Sequence, residues 1–121
     1  MCIRDRALSD IISLHIPLTP ENYHIIGPDE MKKMKSGAIL VNTSRGGLID
    51  EKALFEYLKN GHLCGAGLDV FEDEPYNGPL CSLENVILTP HAGSSAGKSR
   101  IRMEEEAVNN LINGLKELSL M

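Results

Sequence analysis

The chain has no tryptophan, and aromatic residues fill only 4% of its 121 positions. A nucleic-acid surface of stacked aromatic side chains is therefore not encoded, and a formal net charge of −5 argues against non-specific binding to a phosphate backbone. The single Arg45-Gly46-Gly47 tripeptide is unrepeated and lies in a strand–loop pattern, so it does not read as an RNA-binding segment. No apolar run approaches the roughly 20 residues needed to cross a bilayer. Residues 1–6 are charged and are not followed by the apolar core of a signal peptide. The three cysteines, Cys2, Cys64 and Cys81, are odd in number and form no Cys-x-x-Cys pair. Reduced thiols in a cytoplasmic protein are expected, with Cys64 as a small core residue beside an apolar strand. No Gly-x-Gly-x-x-Gly occurs. Gly65-Ala66-Gly67 is the nearest approach, but it precedes the end of its strand and opens no helix, and no downstream acid is placed for a ribose. By fingerprint alone there is no nucleotide site: either the protein binds no dinucleotide, or the phosphate-binding half lies upstream.

What is present is an alternation of apolar runs and helical patterns; 42% of the residues are hydrophobic, which suits one modest core or a piece of a larger one. A regular pattern begins near Ala7, so residues 1–6 are expected to be extraneous to the fold. Ile11-Ile12-Ser13-Leu14-His15 reads as a buried strand ended by Pro17. Thr19 and Pro20 look like the N-cap and first residue of a helix. A second short helix is expected over 28–35, with acids early, lysines late and Gly37 as its stop. Ala38-Ile39-Leu40-Val41-Asn42 is a second strand. Asp50 caps a helix over 51–60 whose apolar stripe is Ala53, Leu54, Tyr57 and Leu58, with Gly61 as terminator. A third strand is expected over 65–70, where Gly65 and Gly67 suggest close approach by a helix or ligand, and a fourth over 85–89. From about Ser95 to Leu118 an amphipathic helix shows Ile101, Val108, Leu111, Ile112, Leu115 and Leu118 on one face. Its Arg100–Glu104 and Arg102–Glu106 pairs run in the less favourable order, so packing is expected to hold it. Continuous apolar strands alternating with helices indicate an α/β fold with a parallel sheet covered on both faces.

Ligands of such sheets bind at the carboxyl ends of the strands. Three segments fall there: Asn42-Thr43-Ser44-Arg45-Gly46-Gly47, Asp69-Val70-Phe71-Glu72-Asp73-Glu74-Pro75 and Thr89-Pro90-His91-Ala92-Gly93. A guanidinium fork can hold a carboxylate with two parallel hydrogen bonds, an imidazole can move a proton near neutral pH, and a carboxylate can fix its tautomer. Taken singly, Arg45 is as readily a surface arginine in a turn, and His91 more readily a structural histidine. Glu72, Asp73 and Glu74 are all near enough to serve as the partner acid, a solvated acidic loop being the better reading for the first two. Asp69 could simply cap its turn. His15 reads as packing, His24 and His62 as surface residues. No metal site is expected, since the acidic loop lacks the spaced ligands and central glycine of a calcium loop.

These segments, with His15-Ile16-Pro17-Leu18-Thr19-Pro20 and the run from Gly37 to Asp50, resemble the D-isomer-specific 2-hydroxyacid dehydrogenases over about residues 7–114; 3-phosphoglycerate dehydrogenase is the member most resembled. The resemblance implies the second half of a Rossmann-type parallel sheet at 7–94 (a partial NAD(P)-binding domain), followed over 95–121 by a long helix returning to a substrate domain that is absent. It implies Arg45 as carboxylate anchor, His91 as general acid/base and Glu74, directly before proline, as its partner. Ile16, Thr43, Ser44, Arg45, Asp69, His91, Ala92 and Gly93 would line the nicotinamide and ribose side, with NAD as cofactor and NADP left open. The implied substrate is a small 2-hydroxy or 2-oxo acid, 3-phosphoglycerate included, acted on by a cytoplasmic protein that is a homodimer at full length. Ser94-Ser95-Ala96-Gly97-Lys98 departs from the family's acid-rich continuation and leaves the start of the last helix open. A cofactor-sensing corepressor on the same fold is the alternative function. The 121-residue chain alone is expected to be inactive and to bind NADH poorly.

Overall fold

The computed structural model describes residues 3–93 and 97–117. They belong to two compact units, one ending at His91 and the other beginning at Ala92. The first is an α/β unit. Its strands β1 (Ile11–Leu14), β2 (Ala38–Asn42), β3 (Leu63–Leu68) and β4 (Val86–Leu88) form one parallel sheet in the order β1-β2-β3-β4. Around it lie α1 (Ile3–Leu8), α2 (Pro28–Lys32) and α3 (Glu51–Lys59), with short 3-10 turns at Pro20–Asn22, Gly46–Leu48 and Pro79–Ser82. The second unit contains α4 (Gly97–Glu117).

Register explains where the core sits. Ile12, Leu40, Ala66 and Val86 form one row across the sheet, and Leu14, Asn42, Leu68 and Leu88 the next. This face packs with Met31, Met34, Leu48, Ile49, Leu54, Leu58 and Leu80 into one buried cluster. Leu54 and Leu58 of α3 are buried as their spacing predicts, and burial of such a side chain contributes about 1.5–3 kcal/mol. Asp50 caps α3 as expected, its Oδ1 accepting from the Lys52 and Ala53 amides at 3.0 Å each, and Gly61 follows the helix at φ 78°.

The opposite face corrects the expectation of cover on both sides. Ile11, Ile39 and Ile87 remain 63%, 36% and 73% exposed on it. The strand order gives the reason. When each parallel strand lies beyond the last, successive right-handed crossovers all land on the same face. Covering the other face would need a reversal of strand order that these four strands do not contain. Among the described residues β1 pairs only with β2, so the apolar 11–14 strand lies at an edge of the sheet.

Other local expectations change as well. The helix at Thr19–Pro20 is one 3-10 turn: the Asn22 side chain accepts from the Thr19 amide at 2.8 Å, and His24 then takes φ 53°, which ends helical geometry. α2 stops at Lys32, with Lys33 as its C-cap, well before Gly37. β3 begins at Leu63, so Cys64 alternates outward and is exposed rather than part of the core. A Cβ at Gly65 would lie 3.1 Å from the Asn85 carbonyl oxygen, so a loop backbone crowds it rather than a helix; at Gly67 the nearest atom belongs to Val41, at 3.9 Å. Of residues 1–6, expected to lie outside the fold, Arg6 is part of α1, and its guanidinium sits 3.3 Å from Glu30. In α4 the two predicted pairs form, Arg100–Glu104 at 3.2 Å and Arg102–Glu106 at 3.1 Å. None of the described residues of α4 is buried. Ser95, Ala96 and Leu118, assigned to that helix from the sequence, lie outside the described residues.

Candidate active site

The turn after β2 is built on a buried amide. Asn42 is 1% exposed; its Oδ1 accepts from the Ser44 amide at 3.0 Å, and its Nδ2 donates to the Arg45 carbonyl at 2.8 Å. The Ser44 hydroxyl donates to the Leu14 carbonyl at 2.7 Å, tying this turn to the end of β1. Arg45 is left exposed, its Nη1 2.6 Å from the Ser44 carbonyl. Gly46 follows where no side chain fits. A Cβ there would lie 1.9 Å from the Phe71 carbonyl carbon and 2.5 Å from the Glu72 nitrogen. The arginine turn and the acidic loop after β3 are therefore in backbone contact.

That acidic loop carries Glu74. Its Oε1 accepts from the Phe71 amide at 3.0 Å, and its Oε2 lies 2.8 Å from His91 Nδ1. The hydrogen bond from His91, then that from the Phe71 amide, holds the Glu74 carboxyl below its ordinary pKa. An ionised carboxylate can only accept, so Nδ1 carries the proton and Nε2 is free to exchange one with a ligand. His91 stands just beyond β4 at φ 53°. Its amide bonds to the Thr89 carbonyl at 3.0 Å, and the Thr89 amide to the Leu68 carbonyl at 2.9 Å.

Arg45, Glu74 and His91 line one cleft of about 370 Å³ at the carboxyl end of the sheet. Leu18 and Tyr23 from the segment after β1 form another wall. Of the residues assigned to cofactor, Ile16 and Thr43 are exposed beside the ends of β1 and β2, and Ser44 is half-buried and spent on the Leu14 carbonyl. Asp69 is 8% exposed at the end of β3 and accepts from the Thr89 hydroxyl at 2.6 Å. This donor set suits the nicotinamide end of a dinucleotide: a carboxylate at a strand end can accept from a carboxamide, and Ile16 offers an apolar flank. Ala92 and Gly93 begin the second unit. Among the described residues no three His, Cys, Asp or Glu side chains are placed to hold a metal ion, and no helix is long and apolar enough to cross a membrane.

Several side chains matter more than their sequence context suggests. Glu72, read as part of a solvated loop, accepts from the Tyr23 hydroxyl at 2.7 Å and faces His24 Nε2 at 3.0 Å. That bond raises the Tyr23 pKa. His24, read as a surface residue, is half-buried and stacked on Tyr23 with ring centroids 4.0 Å apart. His62 is likewise half-buried, with Nε2 3.1 Å from the Met31 carbonyl. His15 Nε2 lies 2.8 Å from the Ser13 hydroxyl. The sequence signal for the Tyr23–His24–Glu72 group is slight: Tyr23 and His24 follow one motif segment and Glu72 lies within another, and partners 48 and 49 positions apart show no local periodicity.

Comparison with known proteins agrees with this architecture. Residues 6–93 match the model of the D-isomer specific 2-hydroxyacid dehydrogenase NAD binding domain. The chain is 56% identical over 106 residues to a glyoxylate reductase of Korarchaeum cryptofilum, covering 86% of this chain and 32% of that protein. It is 48% identical over 109 residues to glyoxylate/hydroxypyruvate reductase B of Enterobacter, covering 88% and 34%. The solved structure of a glyoxylate reductase from Paecilomyes thermophila superposes with a TM-score of 0.88 at 41% identity, covering 93% of this chain and 35% of that one. The chain thus spans about a third of the length of the curated relatives it matches.

Proposed function

This chain belongs to the D-isomer specific 2-hydroxyacid dehydrogenase family, and on that premise we propose that it supplies the carboxylate-binding and proton-transfer residues of an NAD(P)-dependent reductase of small 2-oxo acids. Glyoxylate and hydroxypyruvate are the favoured substrates because relatives at 56% and 48% identity carry those names. The relatives do not support 3-phosphoglycerate, which the sequence resemblance had suggested. Arg45 anchors the substrate carboxylate through its guanidinium fork and draws electron density from the adjoining carbonyl. His91 gives a proton from Nε2 to the carbonyl oxygen on reduction and takes it back on oxidation. Glu74 orients the ring through Nδ1 and favours the imidazolium when it forms. Ile16, Thr43, Ser44 and Asp69 hold the nicotinamide end of the cofactor, with Ala92 and Gly93 following His91; the bound nicotinamide supplies the hydride.

The observation that carries this reading is the 2.8 Å contact between His91 and Glu74 in the cleft that Arg45 also lines. It is tested by placing residues 6–93 into the Korarchaeum cryptofilum enzyme in place of the matching segment and following NADH consumption. The chimera reduces glyoxylate, and Arg45→Ala raises KM at least tenfold, about 1.4 kcal/mol of binding. NADH binding without consumption for any 2-oxo acid in a panel, or an unchanged KM in the variant, contradicts the proposal. The chain alone, with no glycine-rich phosphate loop in its sequence, binds NADH weakly by calorimetry.

A further inference from the structure

One group of side chains at the cleft has no part in the chemistry assigned so far. Tyr23 and His24 follow β1, and Glu72 lies two residues before Glu74. Both Glu72 oxygens are engaged from the far side, one by the Tyr23 hydroxyl at 2.7 Å and the other by His24 Nε2 at 3.0 Å. The Glu72 amide donates to Glu51 Oε1 at 2.7 Å. The 24–26 segment is itself fixed to the arginine turn: the His24 amide bonds to the Gly47 carbonyl at 2.8 Å, and the Ile26 amide to the Leu48 carbonyl at 3.0 Å. Gly47 leaves little room here, since a Cβ there would fall 3.0 Å from Leu18 and 3.1 Å from the Tyr23 ring.

We propose that Glu72, gripped by Tyr23 and His24, is a positioning residue that locks the Glu74 loop to the Arg45 turn and so sets the orientation of the His91 ring. The proposal rests on the reading of His91 and Glu74 as the proton-transfer pair. Geometry supports a lock over a local ornament. Glu72 carries no proton to substrate in this scheme, yet two side chains from a distant segment converge on it. The loop it fixes is short, with only Asp73 between Glu72 and Glu74. Released at Glu72, the loop keeps its contact with Gly46 but loses its side-chain tether to 23–24, and Glu74 is free to swing from Nδ1.

The test uses the 121-residue chain labelled with 15N in its histidines and backbone. Ring nitrogen shifts report which nitrogen of His91 bears the proton, and amide exchange at Phe71 reports its bond to Glu74. In the unaltered chain His91 is expected as the Nδ1–H tautomer. Glu72→Ala mixes the tautomers and speeds Phe71 exchange roughly fivefold, the loss of one hydrogen bond of ordinary net strength. Tyr23→Phe removes one oxygen and leaves the ring, so it does not threaten the fold; it moves both readouts in the same direction by a smaller factor. Glu74→Ala is the reference: it removes the acceptor facing Nδ1 and must abolish the tautomer preference. If Glu74→Ala abolishes it while Glu72→Ala and Tyr23→Phe leave both signals unchanged, the lock is overturned and the proton-transfer pair stands. If Glu74→Ala changes nothing, the pair itself fails and takes the lock with it.

Discussion

The turn after β2 and the loop after β3 meet in one cleft, but different forces hold them. The arginine turn rests on a buried amide that satisfies two main-chain groups, and its flanking segment is tied to 24–26 by backbone bonds. The Glu74 loop is held largely through carboxylates: Glu51 to the Glu72 amide, Glu72 to Tyr23 and His24, and Glu74 to His91 and the Phe71 amide. The first arrangement is indifferent to pH and gives a fixed anchor. The second is built on groups that titrate, and the proposed acid/base role of His91 would rest on it.

Breaking the contact between the two should have the largest effect. Gly46→Ala drives a methyl into the Phe71–Glu72 backbone, where no flexible side chain can yield. A loss of about 3 kcal/mol is expected, the upper part of the overpacking range, read as a fall in the urea midpoint. Asn42→Ala spares the Glu74 loop and strikes only the arginine turn. It leaves the Ser44 amide and Arg45 carbonyl without their partner, at a cost of about 2 kcal/mol by the same measurement. Tyr23→Phe acts on the other side of the comparison and removes a single bond between an exposed hydroxyl and a partly exposed carboxylate, so its fall in urea midpoint should be the smallest of the three.

Acid should separate the two regions by the smallest and most local effect. The Glu74 carboxyl titrates below its unfolded value in the folded chain because His91 and then the Phe71 amide bond to it. Its contribution is therefore fully present above the ordinary glutamate pKa and is lost as pH falls through the depressed one. Carboxyl NMR should show Glu74 titrating at the low end of the glutamates, with the Phe71 amide shift following it. The Ser44 amide, bonded to an asparagine that does not titrate, should not move in that window.

How much of this was legible in the sequence depends on the range of the interaction. Continuous apolar runs gave four parallel strands, and Asp50 with Gly61 bounded α3 to within a residue. Strand order was not legible, and so neither was the bare face that displays Ile11, Ile39 and Ile87: apolar composition marks a strand as fit for burial, but the hand and sequence of the crossovers decide which face receives a cover. Arg45, Glu74 and His91 could be proposed from the sequence because each follows a strand in a segment of family pattern, and the fold brings the three to one cleft. Asn42 was read as the last residue of its strand and the first of a motif segment but given no role, since nothing local announces that its amide turns back to hold Ser44 and Arg45. Glu72 and His24 were misread for a related reason. Each looks solvated within its own segment, and their contact exists only once the segments after β1 and β3 have been folded together.

The central claim is that His91, paired with Glu74 and facing the cleft lined by Arg45, transfers the proton. The most direct test is the single-turnover rate of glyoxylate reduction by the chimera with His91→Ala, at saturating NADH. A general acid contributes about 10²–10⁴-fold, so the rate should fall by that factor while the KM for glyoxylate, set by Arg45, changes little. A variant that keeps near-normal single-turnover rates would contradict the account.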